Sequence, residues 1–132
     1  MDQNSLVSEQ IEAGAEFLDE FCKYLPVQAA FWLKDSDEGG WYLYVASEQI
    51  TDENFDVAYG EAGRILRQMQ HPWLGMFQVK VIGADDPLAK AALDLQRRYP
   101  RRVPGRFPGT TFGGRSVAEV YLYAAPLSAP AP

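Results

Sequence analysis

Cysteine and histidine are almost absent from this chain, which contains one of each, Cys22 and His71. A single cysteine cannot form an internal disulfide, so the composition favours a reducing compartment, and we predict a cytoplasmic location. One histidine and one cysteine are too few ligands for a structural zinc site. We therefore predict no metal site.

Long hydrophobic runs are also absent. No stretch approaches the ~18 apolar residues that a membrane-spanning helix requires. The first ten residues, MDQNSLVSEQ, lack the basic start and the apolar core of a signal peptide. The net charge of −6 disfavours binding to an anionic membrane surface. We expect no contact with a membrane.

No motif that is specific for catalysis or for a cofactor occurs in the sequence. The glycines between positions 105 and 114 do not match a phosphate-binding P-loop, and the acidic segment DSDEGG lacks the ligand spacing of an EF-hand. Nothing close to His71 in sequence supplies a nucleophile or an orienting carboxylate. We predict no catalytic residue and no cofactor, and we favour a protein that is not an enzyme.

Apolar and aromatic residues make up 47% and 13% of the 132 residues, which is sufficient for a packed core. We predict a single domain over residues 1–125 and a frayed tail, PLSAPAP, at 126–132. Apolar residues recur every three or four positions over residues 5–25, 52–70 and 87–99, which indicates three helices. They alternate over residues 27–34, 41–47, 76–82 and 117–124, which indicates strands.

The predicted order is helix, strand, strand, helix, strand, helix, long loop, strand. This order is typical of the α+β class. We predict a four- or five-stranded, mostly antiparallel sheet with the helices packed on one of its faces, because that is the simplest layering. Asp86 is the predicted N-cap of the third helix, with Pro87 at its first position.

The first two strands form a predicted hairpin that carries aromatic residues on both faces. The opposite faces of the two strands carry Trp32, Tyr42 and Tyr44. Either the rest of the protein covers both faces of the hairpin, which we favour, or one face presents an aromatic surface to a partner. These three residues are therefore a candidate partner surface.

Charge is sorted along the chain. Residues 1–96 carry six Lys/Arg and seventeen Asp/Glu, a net −11, whereas residues 97–132 carry six and one, a net +5. Such segregation indicates steering toward a charged partner. The six basic residues of the second part are all arginines: Arg97, Arg98, Arg101, Arg102, Arg106 and Arg115.

Proline and glycine are frequent among these arginines, which predicts a long loop over residues 97–115, with room for a short strand at residues 110–112. Long ordered loops in small domains are often functional. Arginine interleaved with Tyr99, Phe107 and Phe112 is typical of a surface that binds phosphates and stacks bases. The same composition fits a loop that binds acidic side chains, including those of the first helix.

Three classes of function remain. The favoured one is a small adaptor or regulatory protein that acts by binding another protein. The second is a nucleic-acid or nucleotide-phosphate binder, which the acidic remainder of the chain disfavours. The third is an enzyme for phosphoester chemistry without a standard motif. The charge segregation also predicts self-association as a homodimer, in which the basic loop of one subunit meets the acidic first helix of the other.

Overall fold

A computed structural model describes residues 8–34 and 40–124 of the chain. The predicted tail at 126–132 and most of the acidic turn between the first two strands lie outside this description, as do the side chains of Met76, Thr110 and Arg115. The helices are α1 (Ser8–Phe21), α2 (Phe55–Met69) and α3 (Pro87–Arg98). The strands are β1 (Ala29–Lys34), β2 (Trp41–Ser47), β3 (Val79–Gly83), β4 (Gly105–Phe112) and β5 (Arg115–Leu122). Short 3-10 helices occupy Met76–Gln78 and Pro100–Arg102.

The five strands form one sheet in the order β3-β2-β1-β5-β4. Neighbouring strands are antiparallel except β2 and β3, which are parallel and are connected through α2. With the three helices, this arrangement confirms the predicted α+β class and the mostly antiparallel sheet. None of the described helices is long and apolar enough to cross a membrane.

Helices pack on both faces of the sheet, whereas the sequence predicted helices on one face only. On one face α1 and α2 pack against a cluster that includes Trp32, Leu43 and Val81. On the other face α3 packs against a cluster that includes Phe31 and Leu122. The physical reason lies in β1, whose six residues are all buried. A strand that is apolar on both sides requires a layer on each.

The hairpin register separates the three predicted surface aromatics. Phe31 pairs with Tyr44, and Trp32 pairs with Leu43. Residues directly opposite each other project from the same face of a sheet. Trp32 therefore lies on the α1 and α2 face, while Tyr42 and Tyr44 lie on the α3 face, so the three residues do not form one partner surface. The turn length sets this register, and periodicity within each strand does not reveal it.

The predicted long loop over residues 97–115 is wrong as well. This segment contains the end of α3, the second 3-10 helix, all of β4 and the turn into β5. Proline and glycine disfavour a central strand, but β4 is at the edge of the sheet. An edge strand tolerates Pro108 because one side of its backbone has no partner strand. Composition alone therefore did not distinguish a loop from an edge strand.

A buried hydrogen-bonded chain joins three elements of the fold. The Trp32 indole nitrogen donates to the Tyr123 hydroxyl at 2.8 Å, and this hydroxyl donates to the carbonyl oxygen of Ile11 at 2.7 Å. Trp32 and Tyr123 are both buried. Burial raises the pKa of Tyr123 well above its ordinary value. These two hydrogen bonds thus connect α1 to β1 and to the residue that follows β5.

This raised pKa predicts a loss of stability at alkaline pH. In the unfolded chain Tyr123 ionises near pH ~10, whereas the folded protein keeps it protonated. Its contribution is therefore complete below that pH and is lost as the pH rises through the raised pKa of the folded state. We expect the free energy of unfolding to fall by up to about 1.4 kcal/mol per pH unit above pH ~10. Urea unfolding of the wild type and of Tyr123→Phe across this range measures the difference, and equal slopes would contradict the assignment.

Candidate functional site

Five arginines at the β4 end of the sheet define what we call the arginine surface. The last turn of α3, the second 3-10 helix and β4 each contribute to it. Its members are Arg97, Arg98, Arg101, Arg102 and Arg106, all of which are exposed. Arg115, the sixth arginine of the predicted loop, is the first residue of β5.

Arg102 is held against two aromatic rings. Its guanidinium carbon lies 4.3 Å from the centre of the Phe107 ring and 5.5 Å from the centre of the Tyr99 ring. Phe107 is buried and anchors the contact, whereas Tyr99 is 41% exposed. A stacked guanidinium keeps the hydrogen-bonding edge of its plane available for a ligand. One Arg102 nitrogen donates a long hydrogen bond, 3.4 Å, to the carbonyl oxygen of Arg106.

Two carboxylates lie among the arginines. Asp94 is 2.6 Å from the Arg97 guanidinium and 3.2 Å from that of Arg98. Glu119 is 2.9 Å from Arg106. Exposed ion pairs of this kind contribute about 0–1 kcal/mol each, so a ligand can replace them at low cost. Five arginines and two carboxylates leave a net charge of +3.

The arginines do not all point to one place. Arg98 and Arg102 line a cleft of ≈310 Å³, the arginine cleft, together with Asp94, Tyr99 and Phe107. Arg106 precedes the inward-facing Phe107 and so projects from the opposite face of the sheet. There it lies opposite Tyr121 in the strand pairing. Burial raises the pKa of Tyr121, and the nearby charge of Arg106 acts in the opposite direction.

The predicted aromatic partner surface loses Trp32, while Tyr44 is half-buried and Tyr42 is exposed. Trp32 is fully buried, and the ring of Tyr44 stacks in parallel on Phe31 with centres 5.2 Å apart. Tyr42 is 39% exposed, and the Lys80 ammonium lies 5.2 Å from the centre of its ring. An interface built on all three aromatic side chains is therefore not available.

A larger cleft, of ≈970 Å³, lies at the other edge of the sheet from β4, beside β3. We call it the acidic cleft. It opens at the carboxyl ends of β2 and β3. Its lining includes the aromatic residues Tyr44, Phe55 and Tyr59 and the charged residues Glu48, Asp52, Lys80, Asp85 and Asp86. The Asp86 side chain accepts a hydrogen bond from the Leu88 nitrogen at 2.8 Å, which confirms its predicted role as the cap of α3.

Sequence reasoning overlooked the two carboxylates of the arginine surface. It identified Asp86 as a cap but did not predict the acidic cleft that Asp86 lines. Asp94 could have been found, because it precedes Arg97 and Arg98 by three and four residues on one helix. Glu119 reaches Arg106 only through the pairing of β4 with β5. The acidic cleft depends on the parallel pairing of β2 with β3, for which the sequence contains no local signal.

Within the described residues, no three Asp, Glu, His or Cys side chains lie close enough together to hold a metal ion. Cys22 is buried, and burial is the main cause that raises the pKa of its thiol. A raised pKa makes a thiol a poor nucleophile at neutral pH. Comparison of the chain with known protein families, with curated proteins and with solved structures finds no match.

Proposed function

We propose that this chain is a non-enzymatic binding protein that recognises an acidic segment of a partner protein through its arginine surface. The observation that carries the proposal is the geometry of Arg102, stacked on Phe107 and Tyr99 at the arginine cleft. The two rings orient the guanidinium before any ligand arrives, which reduces the entropy lost on binding. A planar guanidinium pairs well with a carboxylate through two parallel hydrogen bonds.

Asp94 and Glu119 favour a protein partner over a nucleic acid. A nucleic-acid backbone presents closely spaced phosphates and is bound by an uninterrupted basic face. Here each carboxylate lies within ion-pair distance of an arginine, and it would repel neighbouring phosphates. An acidic peptide has fewer and more separated charges, so it can exchange with these carboxylates one at a time.

A second copy of the chain fits the description of such a partner. Helix α1 exposes five carboxylates to solvent: Glu9, Glu12, Glu16, Asp19 and Glu20. The net +3 of the arginine surface complements this helix face, and each subunit of a two-fold dimer would offer both surfaces. Homodimer formation is therefore the form of protein binding that we place first.

Charge reversal of the arginine surface provides the test. We expect Arg101→Glu with Arg102→Glu to weaken binding of a fluorescent hexaglutamate peptide at least tenfold, or about 1.4 kcal/mol. The matched control is Arg64→Glu with Arg67→Glu, two exposed arginines of α2, which change the net charge equally. Fluorescence anisotropy measures the affinity of each protein for the peptide and for a single-stranded DNA of the same charge. DNA that binds more tightly than the peptide would instead support the nucleic-acid alternative.

The same variants test self-association. We expect the wild type to be a dimer by light scattering at ~100 µM in low salt and to dissociate when salt is added, because exposed charge pairs are screened. The Arg101→Glu, Arg102→Glu protein should remain monomeric under both conditions. A monomeric wild type at low salt would rule out the second copy as the partner. The peptide titration would still show whether the arginine surface binds acidic segments.

A further inference from the structure

The acidic cleft occupies a position where many α/β sheets bind ligands. Its floor is formed where the parallel strands β2 and β3 end. From these ends the chain continues to α2 on one face of the sheet and to α3 on the other. When the connections after two neighbouring parallel strands go to opposite faces of a sheet, a crevice remains between them. The crevice here is larger than the arginine cleft, and it shares no residue with the arginine surface.

Contacts with neighbouring residues hold three aromatic rings of this cleft in place. The parallel stack on Phe31 fixes the ring of Tyr44. Phe55 and Tyr59 meet edge to face with their centres 4.8 Å apart. The Tyr59 hydroxyl accepts a hydrogen bond from the Val81 nitrogen at 2.9 Å. Phe55 is nevertheless 41% exposed, so an apolar ring face remains available to a ligand.

Charge in the cleft is strongly negative. Glu48, Asp52, Asp85 and Asp86 line it and, within the described part of the chain, none of them forms an ion pair. Among the described lining residues Lys80 is the one cation, and its ammonium lies over the ring of Tyr42, which is not in the lining. Four carboxylates and one ammonium give a net charge of −3.

The combination of features selects the chemistry of the ligand. Among the described residues, the lining carboxylates form no three-ligand group that could hold a metal ion. They come from two separate segments, residues 48–52 after β2 and residues 85–86 after β3. Separated carboxylates suit separated positive charges. Aromatic faces attract ammonium groups and also pack against methylene groups. A ligand that has both is an aliphatic chain with ammonium groups along it.

We propose that the acidic cleft binds such an alkylammonium ligand, with its ammonium groups at Asp52 and Asp85 and its methylene chain against Phe55 and Tyr59. Two sources share this chemistry, a free polyamine and the lysine side chains of a protein. This site shares no residue with the arginine surface, so its test is independent of the proposed function.

Calorimetric titration with spermidine at about 150 mM salt, where nonspecific attraction is screened, tests the site. We expect one ligand per chain, and Asp52→Asn with Asp85→Asn should weaken binding about tenfold or more. The matched control is Glu53→Gln with Asp56→Asn, which removes the same charge from exposed positions outside the lining of the cleft and should weaken binding much less. Equal losses in both double variants would mean attraction to net charge only and would overturn the site.

A second variant tests the aromatic wall. Phe55→Leu keeps an apolar side chain of similar size but removes the ring, and we expect it to weaken spermidine binding about threefold. Mg²⁺ serves as a compact cation, and Mg²⁺ binding as tight as that of spermidine, with the same dependence on Asp52 and Asp85, would overturn the proposal. A tetralysine peptide distinguishes the sources: tighter binding than spermidine, lost in the same variants, would identify protein lysines as the ligand.

Discussion

Gly14→Ala is expected to destabilise the protein by about 3 kcal/mol, a large fraction of the stability of a small domain. A methyl group at position 14 would overlap the hydroxyl oxygen of Tyr123 and would lie 3.0 Å from the Trp32 indole nitrogen. The residue is buried on α1, where the helix meets β1 and the end of the sheet. Either the helix must move away from the sheet or the buried hydrogen bonds of Tyr123 must break, and buried groups left unsatisfied cost about 1–3 kcal/mol each.

A double-mutant cycle isolates this mechanism. Tyr123→Phe removes the oxygen that the new methyl group would meet, so Gly14→Ala should cost less in the Tyr123→Phe background than in the wild type. We expect a coupling of about 1–2 kcal/mol from urea unfolding. Gly60→Ala is the control, because nothing lies within 4 Å of a methyl group at that position of α2, and it should stabilise the helix by up to ~1 kcal/mol. Strict additivity of Gly14→Ala and Tyr123→Phe would refute the proposed clash.

Gly113→Ala is expected to have the second largest effect, about 2–3 kcal/mol. Gly113 and Gly114 form the turn between β4 and β5 with φ angles of +63° and +84°, a conformation that costs a residue with a side chain about 1–2 kcal/mol. A methyl group at Gly113 would also lie 2.7 Å from the Leu88 side chain and 3.2 Å from its backbone nitrogen. Both the turn and the first turn of α3 would have to shift.

Gly114→Ala provides a control within the same turn. Its φ angle is equally unfavourable, but no atom lies within 4 Å of the added methyl group, so only the backbone strain of about 1–2 kcal/mol should appear. The difference between the two variants therefore measures the packing of the β4–β5 turn on α3. Thermal unfolding of both proteins gives this difference, and equal losses would mean that the contact with Leu88 contributes nothing.

The parts of the fold that local chemistry determines were predicted well. Pro87 begins α3 and Asp86 caps it as expected, because a cap depends on residues within one turn of each other. The strands β1 and β2 were also predicted from alternating apolar residues, although the alternation did not reveal that both faces are buried. The α+β class followed from the order of these elements.

The candidate site was predicted only in part, because its composition is local and its geometry is not. The arginines and the aromatic residues near them were identified from the sequence, yet their segment was predicted to be a loop. Arg106 lies on an edge strand, and its ion pair with Glu119 joins residues that are thirteen positions apart. The stack of Arg102 on Phe107 likewise requires the 3-10 helix to turn back over β4.

The sequence by itself determined the helices, most strands, the fold class and the segregation of charge, since each depends on residues close together in the chain. Only the tertiary structure decided the strand order, the register of Trp32 against Leu43, the two helical layers and the acidic cleft. These features depend on which distant segments pair. Burial of apolar surface on both faces of β1 favours one pairing of strands over its alternatives. The free energy gained by this burial depends on the whole sheet, so no single segment of the sequence reveals it.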